Sequence, residues 1–230
     1  MLHSWKSIVT CSSLLLLVVA GCNRSSDDKA APTAAISGSG SASPAAGGNQ
    51  VAAPSKPASD PKHPVVLIET GLGSITVQLD AEKAPETVNN FLSYVKAGHY
   101  DETIVHQVYQ GQGFLAGGYD TKLVEKKART PIRNEADNGL KNRRGTIGMV
   151  RLPDTIDSAT CQFFINVADN PTLDHRDRHS AAGYGYCVFG TVTDGLDVVD
   201  KIGSVKVHDI KEFERTPEQL IVVKSIRHVR

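Results

Sequence analysis

The chain has no net charge with which to attract a charged partner over distance. Its 230 residues carry 25 Lys and Arg side chains against 25 Asp and Glu side chains. Proteins that gather nucleic acid through long-range electrostatics carry an excess of basic residues. The sequence therefore argues against nucleic acid as a partner.

Cysteine is scarce as well, at four residues, and two of them, Cys11 and Cys22, belong to an N-terminal apolar segment. The other two, Cys161 and Cys187, lie in apolar, strand-like runs where a free thiol behaves as a small hydrophobic group. In an oxidising compartment this pair could instead form a disulfide. The sequence favours buried free thiols and leaves the disulfide open.

No apolar run is long enough to span a membrane comfortably, which takes about 20 residues, since the segment from Ile8 to Gly21 has about 14. It ends in small residues before Cys22, an ending that resembles the bacterial lipobox, whose cysteine carries a lipid. We expect residues 1–22 to be a lipoprotein signal peptide, so that the protein is exported and anchored to a bacterial membrane through Cys22. Its domain would then lie in the periplasm or at the cell surface. The alternatives are a secretory signal cut near Ala20 and an uncleaved anchor.

Large apolar residues are also nearly missing from residues 23–63, where Ala, Gly, Ser and Pro dominate. Such a segment cannot bury enough apolar surface to offset the entropy lost on folding. We expect a flexible tether of roughly 40 residues with a root-mean-square reach of about 35 Å. The folded domain is predicted to occupy residues 64–230.

The remainder of the chain contains short apolar stretches with the two-residue alternation of β-strands. The predicted strands are Val65–Thr70, Ser74–Leu79, Thr103–Tyr109, Thr146–Val150, Gln162–Val167, Tyr186–Val192 and Leu220–Val229. Amphipathic helices are predicted from Pro85 to a stop at Gly98 and over Leu196–Ile202. Many strands and two helices indicate a mainly β fold, a barrel or a sandwich with helical plugs.

Five blocks in this region carry a family resemblance. They begin KAPETVNNFL, PIRNEADNGL, SATCQFFINV and GYGYCVFG, and end in the final apolar strand. In this order they resemble a bacterial cyclophilin, a peptidyl-prolyl cis/trans isomerase, over nearly all of Val65–Val229. The resemblance implies a closed eight-stranded antiparallel β-barrel capped by two helices. It also implies proline-containing polypeptides as substrates, bound in a groove on the outer wall, and no cofactor.

The resemblance further implies which side chains form the groove. Strand alternation sends Phe163 and Phe164 to opposite faces, and we expect Phe163 in the core and Phe164 as the groove floor. Gln107 is the predicted catalytic residue. The predicted substrate-binding residues are His106, Phe114, Met149, Arg151, Gln162, Phe164, Leu173 and Tyr186.

The sequence departs from the family pattern near this catalytic position. In typical cyclophilins an arginine follows the histidine of the strand that corresponds to Thr103–Tyr109, whereas here Gln107 follows His106. A neutral amide is a weaker hydrogen-bond donor than a guanidinium.

The next segment departs as well. Gln112, Gly113 and Leu115 stand where the family usually has phenylalanine, methionine and glutamine. Phe114 is expected to refill the apolar position if its strand shifts register.

Three interpretations remain open at this point. The first is a slower isomerase that assists the folding of exported proteins, with Gln107 as donor. The second is a proline-peptide-binding module or chaperone with little catalysis. The third is an enzyme in which Arg151 moves into the groove to replace the missing guanidinium. The acidic and histidine residues between Asp174 and His179 are interpreted as a solvated loop, so no metal site is predicted.

Overall fold

The computed structural model describes residues 60–211 and 213–230. The predicted signal peptide, Cys22 and most of the predicted tether lie outside these residues. Residues 60–63, predicted as tether, are in contact with the domain: the Ala81 N–H donates to the Lys62 carbonyl at 2.8 Å, and Lys62 Nζ lies 2.7 Å from the Glu82 carboxylate. The ordered domain therefore begins before residue 64.

The described residues form ten strands, eight of which close into a barrel. The strands are β1 (Val65–Thr70), β2 (Gly73–Leu79), β3 (Thr103–Tyr109), β4 (Gly113–Asp120), β5 (Thr146–Met149), β6 (Phe163–Asn166), β7 (Val188–Asp194), β8 (Val207–Ile210), β9 (Phe213–Pro217) and β10 (Ile221–His228). Around the barrel the order is β1-β10-β3-β4-β6-β5-β7-β2, and every pairing is antiparallel. The predicted eight-stranded barrel is confirmed, while β8 and β9 form a separate hairpin.

The apolar pattern predicted neither β8 nor β9, and among the eight barrel strands it did not predict β4. This strand is rich in glycine, since Gly113, Gly117 and Gly118 all lie within it. A Cβ on Gly117 would stand 2.8 Å from the Tyr100 ring, and a Cβ on Gly118 would stand 2.6 Å from the Gln162 side chain. Glycine is required at both positions because the side chains of Tyr100 and Gln162 occupy the space that a Cβ would need.

Two helices, α1 (Pro85–Lys96) and α3 (Leu196–Gly203), pack against the barrel, in agreement with the two predicted helices. A four-residue helix, α2 (Ala181–Tyr184), and short 3-10 turns at Ala136–Asn138 and Pro171–Leu173 lie in the connections. No helix in the described part of the chain is both long and apolar enough to cross a membrane.

Aromatic side chains fill the barrel beneath α1. The Phe91 ring of α1 meets Phe163 edge-on with centroids 5.7 Å apart, and it lies 5.3 Å from Phe189 and 5.2 Å from Tyr100. All four rings belong to one buried core. The prediction that Phe163 faces the core is therefore confirmed.

The two cysteines of the domain are free and buried, as the sequence favoured. Burial raises the pKa of the Cys187 thiol to about 12, since the apolar surroundings disfavour a thiolate. Burial also raises the pKa of Cys161. Both residues therefore act as small apolar side chains of the core.

The first turn of α1 is capped from a distant loop. Its N-cap residue, Ala84, has no side-chain acceptor, and Glu135 supplies one instead. The Glu135 carboxylate accepts hydrogen bonds from the backbone N–H groups of Glu86 and Thr87, at 3.2 and 2.8 Å, and from the Thr87 hydroxyl at 2.7 Å. A negative charge here also complements the helix dipole.

We predict that Glu135→Ala lowers the free energy of unfolding by about 1 to 2 kcal/mol, because the first-turn donors lose their acceptor. Urea unfolding followed by circular dichroism measures the change. The matched control is Glu218→Ala, which removes an exposed carboxylate for which the structure shows no hydrogen bond. Equal effects from the two substitutions would contradict the cap.

Candidate functional site

A row of paired residues crosses four strands on the outer face of the barrel. Gln107 of β3 is opposite Leu115 of β4, Leu115 is opposite Phe164 of β6, and Phe164 is opposite Gly148 of β5. We call these four residues the central row. Their chain neighbours face the core, which shows that the row faces outward: these neighbours are Val108, Phe114, Ile165, Ile147 and Met149.

Phe164 supplies the apolar floor of this face. Its ring lies across Gly148, because a Cβ on Gly148 would be only 2.2 Å from Phe164 Cζ. The ring also meets Tyr186 edge-on, with centroids 6.0 Å apart. The absence of a side chain at Gly148 thus lets the phenylalanine ring pack closely against β5 on the outer face, where Phe164 is 6 % exposed.

Gln107 reaches the outer face through a β-bulge. The pairing of β3 with β4 shifts between Val105 and Gln107, so that His106 is the extra residue. Gln107 is half-buried, and among residues 60–211 and 213–230 nothing hydrogen-bonds to its side-chain amide. That amide is therefore available to a ligand on the central row.

His106 is buried behind the bulge and is not accessible to a ligand in this arrangement. Its ring is 5 % exposed and lies 4.8 Å from the Tyr119 ring, centroid to centroid. Nδ1 has no hydrogen-bond partner. Burial lowers the pKa of His106 to about 4, so the imidazole is neutral at pH 7 and packs beneath the face rather than lining it.

Gln162 adds a second amide on the outer face. It lies two residues before Phe164, and its side chain passes over Gly118, where a Cβ would approach Gln162 Nε2 to 2.7 Å. Gln162 is half-buried. The structure thus brings the amides of Gln107 and Gln162 to the same face as Phe164.

Leu173 and Tyr186 border the Phe164 side of this face. The Tyr186 N–H donates to the Leu173 carbonyl at 2.9 Å, which joins the 3-10 turn to the segment before β7. Both side chains are partly exposed. The structure therefore brings together Gln107, Gln162, Phe164, Leu173 and Tyr186 from the predicted set.

Arg151 does not reach the groove as one interpretation required. It is 6 % exposed, and its guanidinium donates to four carbonyls, those of Gly185, Leu152, Pro153 and Ala181. If Arg151 moved into the groove, these buried and partly buried carbonyls would lose their donor, at a cost that a surface arginine would not incur. The structure therefore corrects the expectation that Arg151 replaces the missing guanidinium.

The position of Arg151 indicates a supporting role. Its Cζ lies 4.5 Å from the centroid of the Tyr186 ring, in the geometry of a cation–π contact. Arg151 thus holds Tyr186 from behind and fixes the loop that carries α2.

Phe114 and Met149 also differ from expectation. Phe114 is opposite Val108 and Ile165, and all three belong to the core. The register shift that would have turned Phe114 outward is absent, and Leu115 faces outward instead. Met149 is opposite Phe163, inside the barrel. Strand alternation explains both corrections, since each residue neighbours an outward-facing one.

Three residues of this face were not predicted as site residues, namely Leu115, Gly118 and Gly148. Leu115 could have been found by applying the alternation of β6 to its neighbour β4. The two glycines could not, because the side chains that require them, Gln162 and Phe164, are distant in sequence. Within the described residues, no group of three or more His, Cys, Asp and Glu side chains is arranged to hold a metal ion.

Comparison with known proteins shows which family model and which relatives resemble this chain. The family model described as "Cyclophilin type peptidyl-prolyl cis-trans isomerase/CLD" matches residues 65–228. Peptidyl-prolyl cis-trans isomerase A of Dickeya dadantii is 44% identical over 165 residues, which cover 72% of this chain and 84% of the relative. Peptidyl-prolyl cis-trans isomerase B of Escherichia coli is 43% identical over 162 residues, which cover 70% and 96%.

Solved structures share the fold. A cyclophilin-type isomerase of Cryptosporidium parvum, crystallised in the presence of the dipeptide Ala-Pro, aligns with a TM-score of 0.59 at 22% identity. The alignment covers 72% of this chain and 98% of that one. A cyclophilin from Hirschia baltica aligns with a TM-score of 0.56 at 20% identity, covering 74% and 75%.

We predict that the buried imidazole of His106 makes the domain less stable in acid. The pKa of His106 falls from an ordinary 6.5 to about 4 in the folded state, so between these values the unfolded chain binds a proton that the native chain does not. The contribution of neutral His106 to the free energy of unfolding is therefore fully present above pH 6.5. It is lost as the pH falls toward 4, by up to about 3 kcal/mol.

The measurement is the free energy of unfolding at several pH values between 7 and 4 for the parent and for His106→Gln. The variant should lose less stability over this window than the parent. Burial also lowers the pKa of His99, so the difference between the two profiles, rather than either slope, isolates His106. His208→Gln, at an exposed position, is the control. Parallel profiles for parent and His106→Gln would contradict the assignment.

Proposed function

The chain belongs to the family of cyclophilin-type peptidyl-prolyl cis-trans isomerases, and from this premise we propose that it isomerises the bond before proline in exported polypeptides, at a reduced rate. The observation that carries the proposal is the central row. Outward-facing Phe164 offers an apolar surface, while the free amide of Gln107 lies on the same face.

The chemistry requires no covalent intermediate. Rotation about the prolyl bond meets a barrier of about 18 to 20 kcal/mol that comes from amide resonance. A site lowers this barrier by binding the twisted amide more tightly than the planar one. The prolyl nitrogen gains acceptor character as resonance is lost, so a fixed donor near it stabilises the twisted state.

The spacing within the row suits this task. Gln107 and Phe164 are two strands apart, or about 10 Å between Cα atoms. A proline ring seated on Phe164 and Leu115 would leave its nitrogen within reach of the long Gln107 side chain. Gln162, on the same face, offers a second amide to the backbone next to proline.

The reduced rate follows from the neutral donor. A hydrogen bond from an amide has roughly half the strength of one from a charged donor. Loss of a fixed donor of this kind costs about 10² to 10³ in rate in other enzymes. Arg151 offers no compensation, because its guanidinium is already bound to backbone carbonyls.

We predict that Gln107→Arg raises kcat/KM by about 10- to 100-fold, because it restores a charged donor, and that Gln107→Leu lowers it below the parent value. Proline isomerisation by the purified full-length chain is measured by exchange NMR on a short prolyl peptide. Gln78→Arg is the matched control, since it places the same charge at an exposed position on β2.

The same experiment separates the enzyme from a binding module. A parent protein that binds the peptide without accelerating exchange, and gains activity only as Gln107→Arg, is a proline-peptide-binding module. An unchanged rate in all Gln107 variants would refute Gln107 as the donor.

We further propose that the protein is exported and held at a bacterial membrane by a lipid on Cys22. Support comes from the apolar segment before Cys22 and from the small residues that adjoin it. The segment rich in Ala, Gly, Ser and Pro after Cys22 would let the domain reach chains that emerge near the membrane. Its substrates would then be exported polypeptides that are still folding.

We predict that the protein, expressed in a Gram-negative host, acquires a lipid at Cys22 and fractionates with membranes. The Cys22→Ala variant should not acquire the lipid. Mass spectrometry of the mature N-terminus detects the lipid directly. Cys11→Ala is the matched control, because Cys11 lies within the apolar segment rather than at its end. If the parent protein carries no lipid, whether it is cut near residue 20 or not cut at all, the proposed lipid anchor at Cys22 is wrong.

A further inference from the structure

The β8–β9 hairpin packs on the outer face next to the central row. Its Phe213 ring meets Tyr119 of β4 edge-on with centroids 5.0 Å apart. Arg215, two residues further along β9, places its Cζ 4.7 Å from the centroid of the Tyr109 ring on β3. The hairpin therefore forms a wall on the β3 side of the site.

Tyr109 joins this wall to Gln107. The two residues are two positions apart on β3, with Val108 between them in the core. Their side chains consequently share the outer face, with Cα atoms about 7 Å apart. The Arg215 guanidinium, stacked on Tyr109, thus lies beside the next outward-facing position of β3 after Gln107.

No side chain of β4 stands opposite Tyr109 on the outer face. Tyr109 is opposite Gly113, which has no side chain to cover β4 at this level. A Cβ on Gly113 would lie 2.8 Å from the Ile165 carbonyl oxygen, so the position is restricted to glycine. The face beside the central row therefore continues past Gln107 toward Arg215.

The Arg215 guanidinium is exposed and has no ion-pair partner among residues 60–211 and 213–230. Its backbone is fixed nonetheless: φ is 53°, and the Arg215 N–H donates to Asp209 Oδ1 at 2.9 Å. Stacking on Tyr109 uses the face of the guanidinium and leaves its N–H edges free. Those edges have the fork geometry that binds a carboxylate through two hydrogen bonds.

We propose that Arg215 is a specificity-determining residue that binds an acidic side chain of the substrate near the proline. The inference rests on the proposed isomerase function and names its substrate class: prolyl segments with Asp or Glu close by. The distance of about 7 Å between Gln107 and Tyr109 corresponds to about two residues of extended chain. The acidic residue is therefore expected about two residues from proline.

The test uses the full-length chain and a set of peptides that differ at one position. Each peptide has a single proline, with Glu placed in turn at each of three positions on either side, and a partner peptide carries Gln at the same position. Exchange NMR gives kcat/KM for every peptide. At low salt we expect Glu to exceed Gln by about two- to fivefold at one position, as for an exposed ion pair. The preference should shrink at about 0.5 M salt because of screening.

Three variants identify the source of this preference. Arg215→Gln should abolish it while leaving rates for the Gln peptides unchanged, and Arg215→Glu should reverse it in favour of Lys peptides. Lys206→Gln removes an exposed cation of the same connection and should preserve it.

A preference that is absent from the parent, or that survives Arg215→Gln, overturns the proposal. So does an equal loss of rate for Glu and Gln peptides in Arg215→Gln, which would mark Arg215 as a general donor or a structural residue. If the parent accelerates no peptide, the isomerase proposal fails on its own. Binding of the same Glu and Gln peptides, followed by chemical-shift titration, then decides whether Arg215 selects acidic ligands.

Discussion

Strand alternation in a closed barrel wall is the constraint on which the site depends. Each residue of β6 faces either the packed core or the outer surface. Phe163 and Phe164 therefore point in opposite directions, although they are neighbours of the same residue type. The pairing of β6 with its neighbours then decides which residues flank Phe164. A slip of one residue would exchange inner and outer side chains along the whole strand. Leu115 and Gly148 thus acquire their positions from register, not from their own chemistry.

One of the register irregularities in this wall lies where the proposed chemistry lies. The bulge at His106 allows Val105 and Val108 to face the core while Gln107 faces outward. The cost is a buried imidazole with an unpartnered nitrogen. Tyr119 packs against that imidazole, and Phe213 of the β8–β9 hairpin packs against Tyr119. The same hairpin carries Arg215, which stacks on Tyr109.

Two guanidinium groups flank the central row, and their surroundings separate their roles. Arg151 is enclosed by carbonyls and supports Tyr186 from behind, so its charge stabilises a loop. Arg215 is exposed and stacks on Tyr109 with its N–H edges free, so its charge is open to a ligand. The guanidinium of Arg151 has a structural role, because its hydrogen bonds are satisfied within the protein. The guanidinium of Arg215 is suited to ligand recognition, because its N–H groups are free.

The sequence by itself determined the apolar stretches that become most strands, the two main helices, and the opposite orientation of Phe163 and Phe164, since these follow from local periodicity. It also identified Gln107 as the departure from the family pattern. Only the tertiary structure decided that a glycine-rich segment forms β4 and that Leu115 rather than Phe114 faces outward. It also decided that Arg151 is held by carbonyls and that Arg215 stacks on Tyr109. These outcomes depend on register and on partners distant in the chain, which periodicity along a single strand does not encode.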